Sequence, residues 1–495
     1  MTRRKSIIIV GAGVAGLATG CYGQMSDYRT QIFEMHHQPG GVCTAWKRKG
    51  YTFDGCIHHL AGCRPGHKLH RVWRELGALP RPILYPDDLM RVETPDGNAF
   101  TAYTDLDRLE AHMKDIAPDD AGAIEDYVRT IRRFARLDLM DLAVASPGDL
   151  LRLLPLVAQN FRWFKETMAD AAMRFGDPGL RRMFPWIQYG APETPIALHL
   201  NMMAQCDARN YGWPSGGSLE FARSIAERYQ ELEGEIHYKA RVTRILVKDD
   251  RAVGVRLADG SEHRADVVVS TAYGPTTVFD MLGGQYASKR LRKHYAHPVD
   301  DVWMGLHVSL GIDRDLSAEP HALNYFLEQP VRIANEERDH LDLDLFAFDP
   351  TMAPPGKSVL KVLLRTRYSY WEALHQEPER YRVEKQRVAE AVIAQLEPRF
   401  PGLKSQVEVI DVATPLTSER YTGNGCMFEG LLAPDIAGLL RGRGLVRTLP
   451  GLRDFYLVGQ WAAFPGLPIV AGMGRSLIRF LCRRDGRHFA AYVDG

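Results

Sequence analysis

Four aliphatic residues, Ile7, Ile8, Ile9 and Val10, follow a basic start and run into Gly11-Ala12-Gly13-Val14-Ala15-Gly16. An unbroken apolar run of this length predicts a strand buried on both faces, and the spaced glycines predict a turn into a helix that ends near Gln24. A second apolar run, 30–35, predicts the next strand, with Glu34 near its end. Residues 87–103 read as short strands around the turn Pro95-Asp96-Gly97, and 105–182 as helical with breaks near Pro118, Pro147 and Pro155. Leu219, Phe221, Ala222, Ile225 and Ala226 recur at helical spacing and predict a helix over 218–232. Strands follow over 235–238, 242–247, 252–257 and 267–270, with Asp259-Gly260 as a hairpin turn. Residues 302–365 are strand-rich, as in 302–311 and 358–365, and 383–396 reads as a helix. The chain closes with a strand at 455–458, a Gly/Pro loop through 463–468 and a helix from about Gly472. There are no repeats and no low-complexity tracts.

Strand, glycine turn, helix and a strand ending in a carboxylate together make a dinucleotide-binding βαβ unit. Gly11 permits the turn, Gly13 leaves room for a pyrophosphate, and Gly16 lets the helix pack closely on the strand. Ala15 lies in the first helical turn, whose free N–H groups attract phosphate, and Glu34 accepts from the adenosine ribose. The competing reading of this stretch, a signal peptide or membrane span, fails on its glycines and on the absence of a leucine-rich centre. No other apolar run approaches the ~20 residues of a spanning helix.

Composition adds exclusions. The chain has 495 residues, is 45% hydrophobic and 25% charged, and carries a formal charge of +1, so it is a globular protein with no general attraction for nucleic acid. Its seven cysteines are dispersed without a CxxC pair, as in a reducing, cytoplasmic setting. Cys43, Cys56 and Cys63 lie among histidines, but their spacings match no zinc pattern, so no metal site is expected.

Further blocks extend the first: Gly40-Gly41, then Gly50, Phe53, Asp54 and Cys56 leading to Ile57-His58-His59, then Gly212-Trp213-Pro214-Ser215-Gly216-Gly217, and finally 411–417 and Tyr456-Leu457-Val458-Gly459. Together they resemble the flavoprotein family of phytoene desaturases, carotenoid isomerases and retinol saturases, related to the amine oxidases. The resemblance implies an α/β fold: a discontinuous Rossmann-like FAD-binding domain (1–85, 206–280, 416–495) with an inserted α+β substrate domain (86–205, helical, and 281–415, sheet plus helix).

The same resemblance implies FAD and a long apolar substrate, a polyene, isoprenoid or related lipid, whose C–C bonds are desaturated, saturated or isomerised. It assigns Gly40, Gly41 and Val42 to the cofactor cradle, Val242 to the adenine, Gly459 and Gln460 to the pyrophosphate and ribityl chain, and Ile469 and Val470 to the flavin ring. His58 and His59 fall beside the flavin as candidate acid–base groups. Val42 replaces a common arginine, Gln460 a common acid, and Cys56 a common glycine. With no second GxGxxG after a strand, no separate NAD(P)H domain is expected, and the electron partner stays open. Residues 150–165 mix large apolar side chains with cations, as in a segment that docks on the inner face of a membrane. A flavin amine oxidase and a non-catalytic FAD-bound lipid carrier are the alternatives.

Overall fold

The computed structural model describes residues 4–145, 147–296, 299–425, 447–462 and 466–492; Cys426 and loop residues 463–465 lie outside them. The apolar opening forms the strand Ser6–Val10, buried along its whole length, at the centre of a five-stranded parallel sheet. Across that sheet the order is Glu235–His237, Arg29–Phe33, Ser6–Val10, Val267–Ser270 and Phe455–Leu457. Three distant stretches of chain therefore build one sheet. The helix Val14–Met25 packs against Gly217–Glu231 and Leu467–Asp485, and every one of its residues is buried, as expected for a helix apolar around its circumference.

A three-stranded antiparallel sheet, Val242–Lys248, Arg251–Leu257 and Glu262–Arg264, flanks this unit. The second large layer is a seven-stranded sheet in the order Val407–Ala413, Asp301–Ile312, Ser358–Arg367, Glu336–Leu345, Ala322–Ile333, Asp88–Glu93 and Ala99–Tyr103. Pro378–Leu396 covers part of it through Val388, Ala389, Val392 and Leu396. Leu106–Ile116, Ala121–Phe134 and Ile196–Asp207 form a separate helical core with the strands 88–103.

Several boundaries differ from the sequence reading. Pro147 does not break a helix but starts one, Pro147–Asn160, which carries Pro155 inside it. The final helix begins at Leu467, five residues before Gly472, because Pro468 fits the first turn, where its missing N–H has no partner to lose. The strand-rich region contains two long strands, Ala322–Ile333 and Glu336–Leu345, whose polar residues hid them. No helix among the described residues is long and apolar enough to cross a membrane.

Candidate functional site

The glycine turn and the glycine pair interlock. Gly11, at φ +99°, donates to Phe33 O, and Gly40, at φ +117°, donates to Ala12 O at 2.9 Å. A Cβ on Gly16 would lie 2.0 Å from Gly11 O, so the helix approaches its own strand as only glycine allows. At Gly13 and Gly41, by contrast, a Cβ would meet its nearest atoms at 3.8 and 3.4 Å, ordinary contact distances, and both glycines line the open cavity. That open face, at the N-terminus of a helix, fits a pyrophosphate.

Glu34 is held in place by two backbone donors, Ala12 N at 2.7 Å and His36 N at 2.8 Å. Burial raises its carboxyl, and those N–H groups oppose the rise. The cavity above them has a volume of about 810 Å³. It brings Gly11, Gly13, Ala15, Glu34, Gly40, Gly41, Val42, Val242, Gly459, Gln460, Val470, His58 and His59 onto one continuous wall. Gly16 and Ile469 stand outside that wall: Gly16 packs on Gly11, and Ile469 is buried in the core. The cavity opens at the carboxyl ends of the parallel strands, where doubly wound sheets bind their ligands.

Asp54 joins the remaining blocks. Its carboxylate accepts from Ser218 N at 2.6 Å, Ser218 Oγ at 2.7 Å and Cys56 N at 3.0 Å. Asp349 does the same beside it, accepting from Gly216 N and Trp213 Nε1, both at 2.8 Å. Two acids from distant segments thus cap the helix that starts at Gly217, and the left-handed Gly216 and Gly217 (φ +92° and +73°) let its first turn reach them.

Behind the cavity-lining His58 lies a buried charged pair, Asp344 and Lys361, that the sequence reading missed. Asp344 Oδ2 lies 3.3 Å from His58 Nδ1 and 3.0 Å from Lys361 Nζ. Burial works against its charge, yet Lys361 and His58 hold its carboxyl well below the usual range. Lys361 also donates to Asp54 O at 3.3 Å, which ties this cluster to the helix cap. His59 Nδ1 is 2.5 Å from Tyr189 Oη, and burial, with His321 and His58 adding, pushes its imidazole down to about 3. His59 is therefore neutral at physiological pH and serves as a hydrogen-bonding group, while His58 is the one braced by a carboxylate.

Tyr189 occupies a left-handed backbone conformation (φ +50°), and so does Met304 (φ +52°), within a bulge of the strand Asp301–Ile312. Both line the cavity. Strained residues and bulges gather where a backbone must aim a side chain at a site. Arg475 stands apart, paired with the buried Glu75 at 3.1 Å and stacked over Tyr22.

Fold and cradle together define a class: a two-layer protein with a Rossmann-like dinucleotide unit built from dispersed segments. Residues 9–76 match the NAD(P)-binding Rossmann-like domain family. Nearly the whole chain is similar to prolycopene isomerase of Arabidopsis thaliana, at 26% identity over 94% of this chain and 80% of that protein. It is also similar to a lycopene-forming phytoene desaturase of Paracoccus sp. (25%; 95% and 96%) and to all-trans-retinol 13,14-reductase of Danio rerio (23%; 92% and 82%). Among solved structures, an oxidoreductase from Methanosarcina mazei shares the fold at a TM-score of 0.60 and 16% identity, covering 96% of this chain and 100% of the other. The resemblance read from the motifs is thus the one these relatives carry. The amine oxidase alternative is not favoured.

Proposed function

We propose that the chain binds FAD and acts as an oxidoreductase on the C–C bonds of a hydrophobic polyene, isoprenoid or related lipid. The observation that supports this reading is the continuity of one cavity, from the glycine cradle and Glu34 to an apolar chamber edged by Ile57, Leu60, Leu198, Met202 and Met304. A substrate without polar handles is bound by such a wall through exclusion of water alone. When bound, FAD supplies hydride exchange at N5. Gly13 and Gly41 leave space for its phosphates, Glu34 takes its ribose hydroxyls, and Gly459 and Gln460 border its ribityl chain.

His58 is the group that holds or moves a proton at the substrate end. Its Nδ1 faces Asp344 at 3.3 Å, which fixes the ring, and the residue lines the cavity. His59 and Tyr189 orient what lies beside it. The segments 1–85, 206–280 and 416–495 are assigned to the FAD domain, and 86–205 and 281–415 to the substrate domain.

The test is to release cofactor and co-purified lipid from the protein by heat and identify both by mass spectrometry, then to offer polyenes to the photoreduced and oxidised holoprotein. FAD with a consumed or isomerised polyene supports the reading. No FAD overturns it, and FAD with no chemistry on any unsaturated lipid makes the chain a carrier.

A further inference from the structure

The hairpin of Ala45–Arg48 and Tyr51–Asp54 continues past its last paired step into the cavity wall. Its register sets Ala45 opposite Asp54 and Trp46 opposite Phe53. One step on, Gly55 donates to Thr44 O at 2.9 Å. Cys43 and Cys56 are the next residues on each side of that step, where the chain bends out of the ladder: Cys43 N–H donates to Gly40 O and Cys56 N–H to Asp54 Oδ1.

Both residues line the cavity beside Gly40, Gly41 and Ile57. Their surroundings differ. Cys43 is fully buried, with its Sγ 3.3 Å from Ser218 O, whereas Cys56 is only partly buried. A hydrogen bond between the two side chains, followed by burial, holds the Cys43 thiol well above its ordinary range. The more accessible sulfur thus adjoins a protonated, sequestered one.

We propose that Cys43 and Cys56 are a redox-active dithiol/disulfide pair in the wall of the dinucleotide cavity, which exchanges with low-molecular-weight disulfides and thiols. Cys56 loses its proton and attacks an external disulfide, RS–SR; the new bond is Cys56–S–S–R, and the departing RS⁻ takes up that proton. Cys43 then attacks the Cys56 sulfur, breaks its bond to R, and forms Cys43–Cys56. The second RS⁻ leaves with the proton from Cys43. Two electrons pass from the protein sulfurs to the external disulfide, two RSH are released, and a small dithiol reverses both steps. In sequence the bond joins the segment just after the glycine pair to the segment just before His58, so oxidation would tie the cofactor cradle to the proposed proton-handling group. The assignment rests on the hydrogen bond between Gly55 and Thr44 that adjoins both cysteines and on their shared cavity lining, and is independent of the substrate.

The experiment incubates the protein as purified with glutathione buffers from fully reduced to fully oxidised, quenches with alkylating reagent under denaturing conditions, and maps the peptides. The expected result is reversible protection of two cysteines, linked as Cys43–Cys56. In C43S, one glutathione should be trapped on Cys56, while C56S should trap none on Cys43. The proposal is overturned if no pair is protected at any ratio, if the linkage maps to other cysteines, or if Cys43 traps glutathione in C56S as readily as Cys56 does in C43S. The wild-type map decides without the variants should either fail to fold.

Discussion

Ser218 donates both its backbone N–H and its hydroxyl to the carboxylate of Asp54, across 164 residues of chain. One side chain therefore caps the second helix of the dinucleotide unit and anchors the hairpin that leads to His58. Hydrogen bonds to a buried charged acceptor are each worth about 1.5–3 kcal/mol. Asp54→Ala removes three such donors' partner at once and opens a small void. The expected loss is about 3–5 kcal/mol in denaturant unfolding, together with loss of bound cofactor. Ser218→Ala keeps the backbone donor but removes the hydroxyl that donates to Asp54 and accepts from Ile57 N at 2.8 Å, and should lose less than Asp54→Ala. Equal losses in the two variants would remove the carboxylate from its capping role.

The cradle separates two failures of one substitution. Gly16→Ala places a Cβ against Gly11 O at 2.0 Å, a backbone clash that no rotamer relieves. It should lower the melting temperature and empty the protein of cofactor. Gly13→Ala meets no protein atom closer than 3.8 Å. It should leave the melting temperature of the apoprotein within a degree or two while weakening FAD at least tenfold, because its methyl stands where the phosphates belong. Cofactor titration alongside thermal unfolding of both apoproteins checks this. An equally large drop in melting temperature for Gly13→Ala would overturn it.

How far the site could be read in advance follows from which interactions build it. Gly11, Gly13, Glu34, Gly40 and Gly41 act through backbone conformation and short-range order, so their spacing alone reveals them. Asp344 and Lys361 are cross-strand partners in register, Lys361 on a strand that reads as an ordinary apolar run and Asp344 on one rich in charged residues. Their pairing depends on sheet order, which local periodicity does not encode. A signal was nevertheless present: Leu343-Asp344-Leu345 and Leu360-Lys361-Val362 each set a charge between two apolar residues, and a charge buried in that way requires a partner. Tyr189 carried no comparable signal, since its left-handed conformation precedes a glycine in an unremarkable loop. The start of the last helix at Leu467 is not legible locally, because Pro468 reads as loop although it fits the first turn.

The buried pair makes its own prediction. Lys361 is 1% exposed and lies 3.0 Å from Asp344. Lys361→Met strands a buried carboxylate and should destabilise by about 3–5 kcal/mol, whereas Lys361→Met combined with Asp344→Asn should recover more than half of that. On activity, Asp344→Asn should slow turnover about a hundredfold, because His58 loses the carboxylate that orients its ring. Unchanged turnover in Asp344→Asn would reduce Asp344 to a packing residue.

His199 and His307 set an acid limit on stability. Both are buried, and burial pushes each imidazole down to about 3 from an ordinary value of 6.5. The unfolded chain takes up protons below pH 6.5 that the folded protein cannot, so stability falls as pH drops from 6.5 toward 3 and is fully retained above that range. Each histidine should cost about 1.4 kcal/mol at pH 5.5. His199 sits between Tyr127 Oη at 2.6 Å and Gln188 Oε1 at 3.1 Å, and His199→Gln offers both a similar amide partner. In that variant the slope of unfolding free energy between pH 6.5 and 5 should shrink by about one proton. A slope identical to that of the parent would assign the acid sensitivity elsewhere.

Membrane docking through 150–165 can be tested at a better position than its tryptophan. Trp163 is buried in the helical core at 8% exposure, with Arg162 and Arg174 over its ring, so Trp163→Glu would unfold that core whatever the segment touches. Phe161 is 53% exposed, and Lys165 lies 4.9 Å from its ring. An exposed aromatic with an adjacent cation is the side chain that inserts at an anionic lipid surface. If this segment docks, Phe161→Glu should reduce co-sedimentation with anionic vesicles severalfold without moving the melting temperature, and high salt should weaken the parent in the same assay. Parent protein that stays in the supernatant at low salt, or a variant that binds vesicles as well as the parent, would remove this segment as a membrane contact.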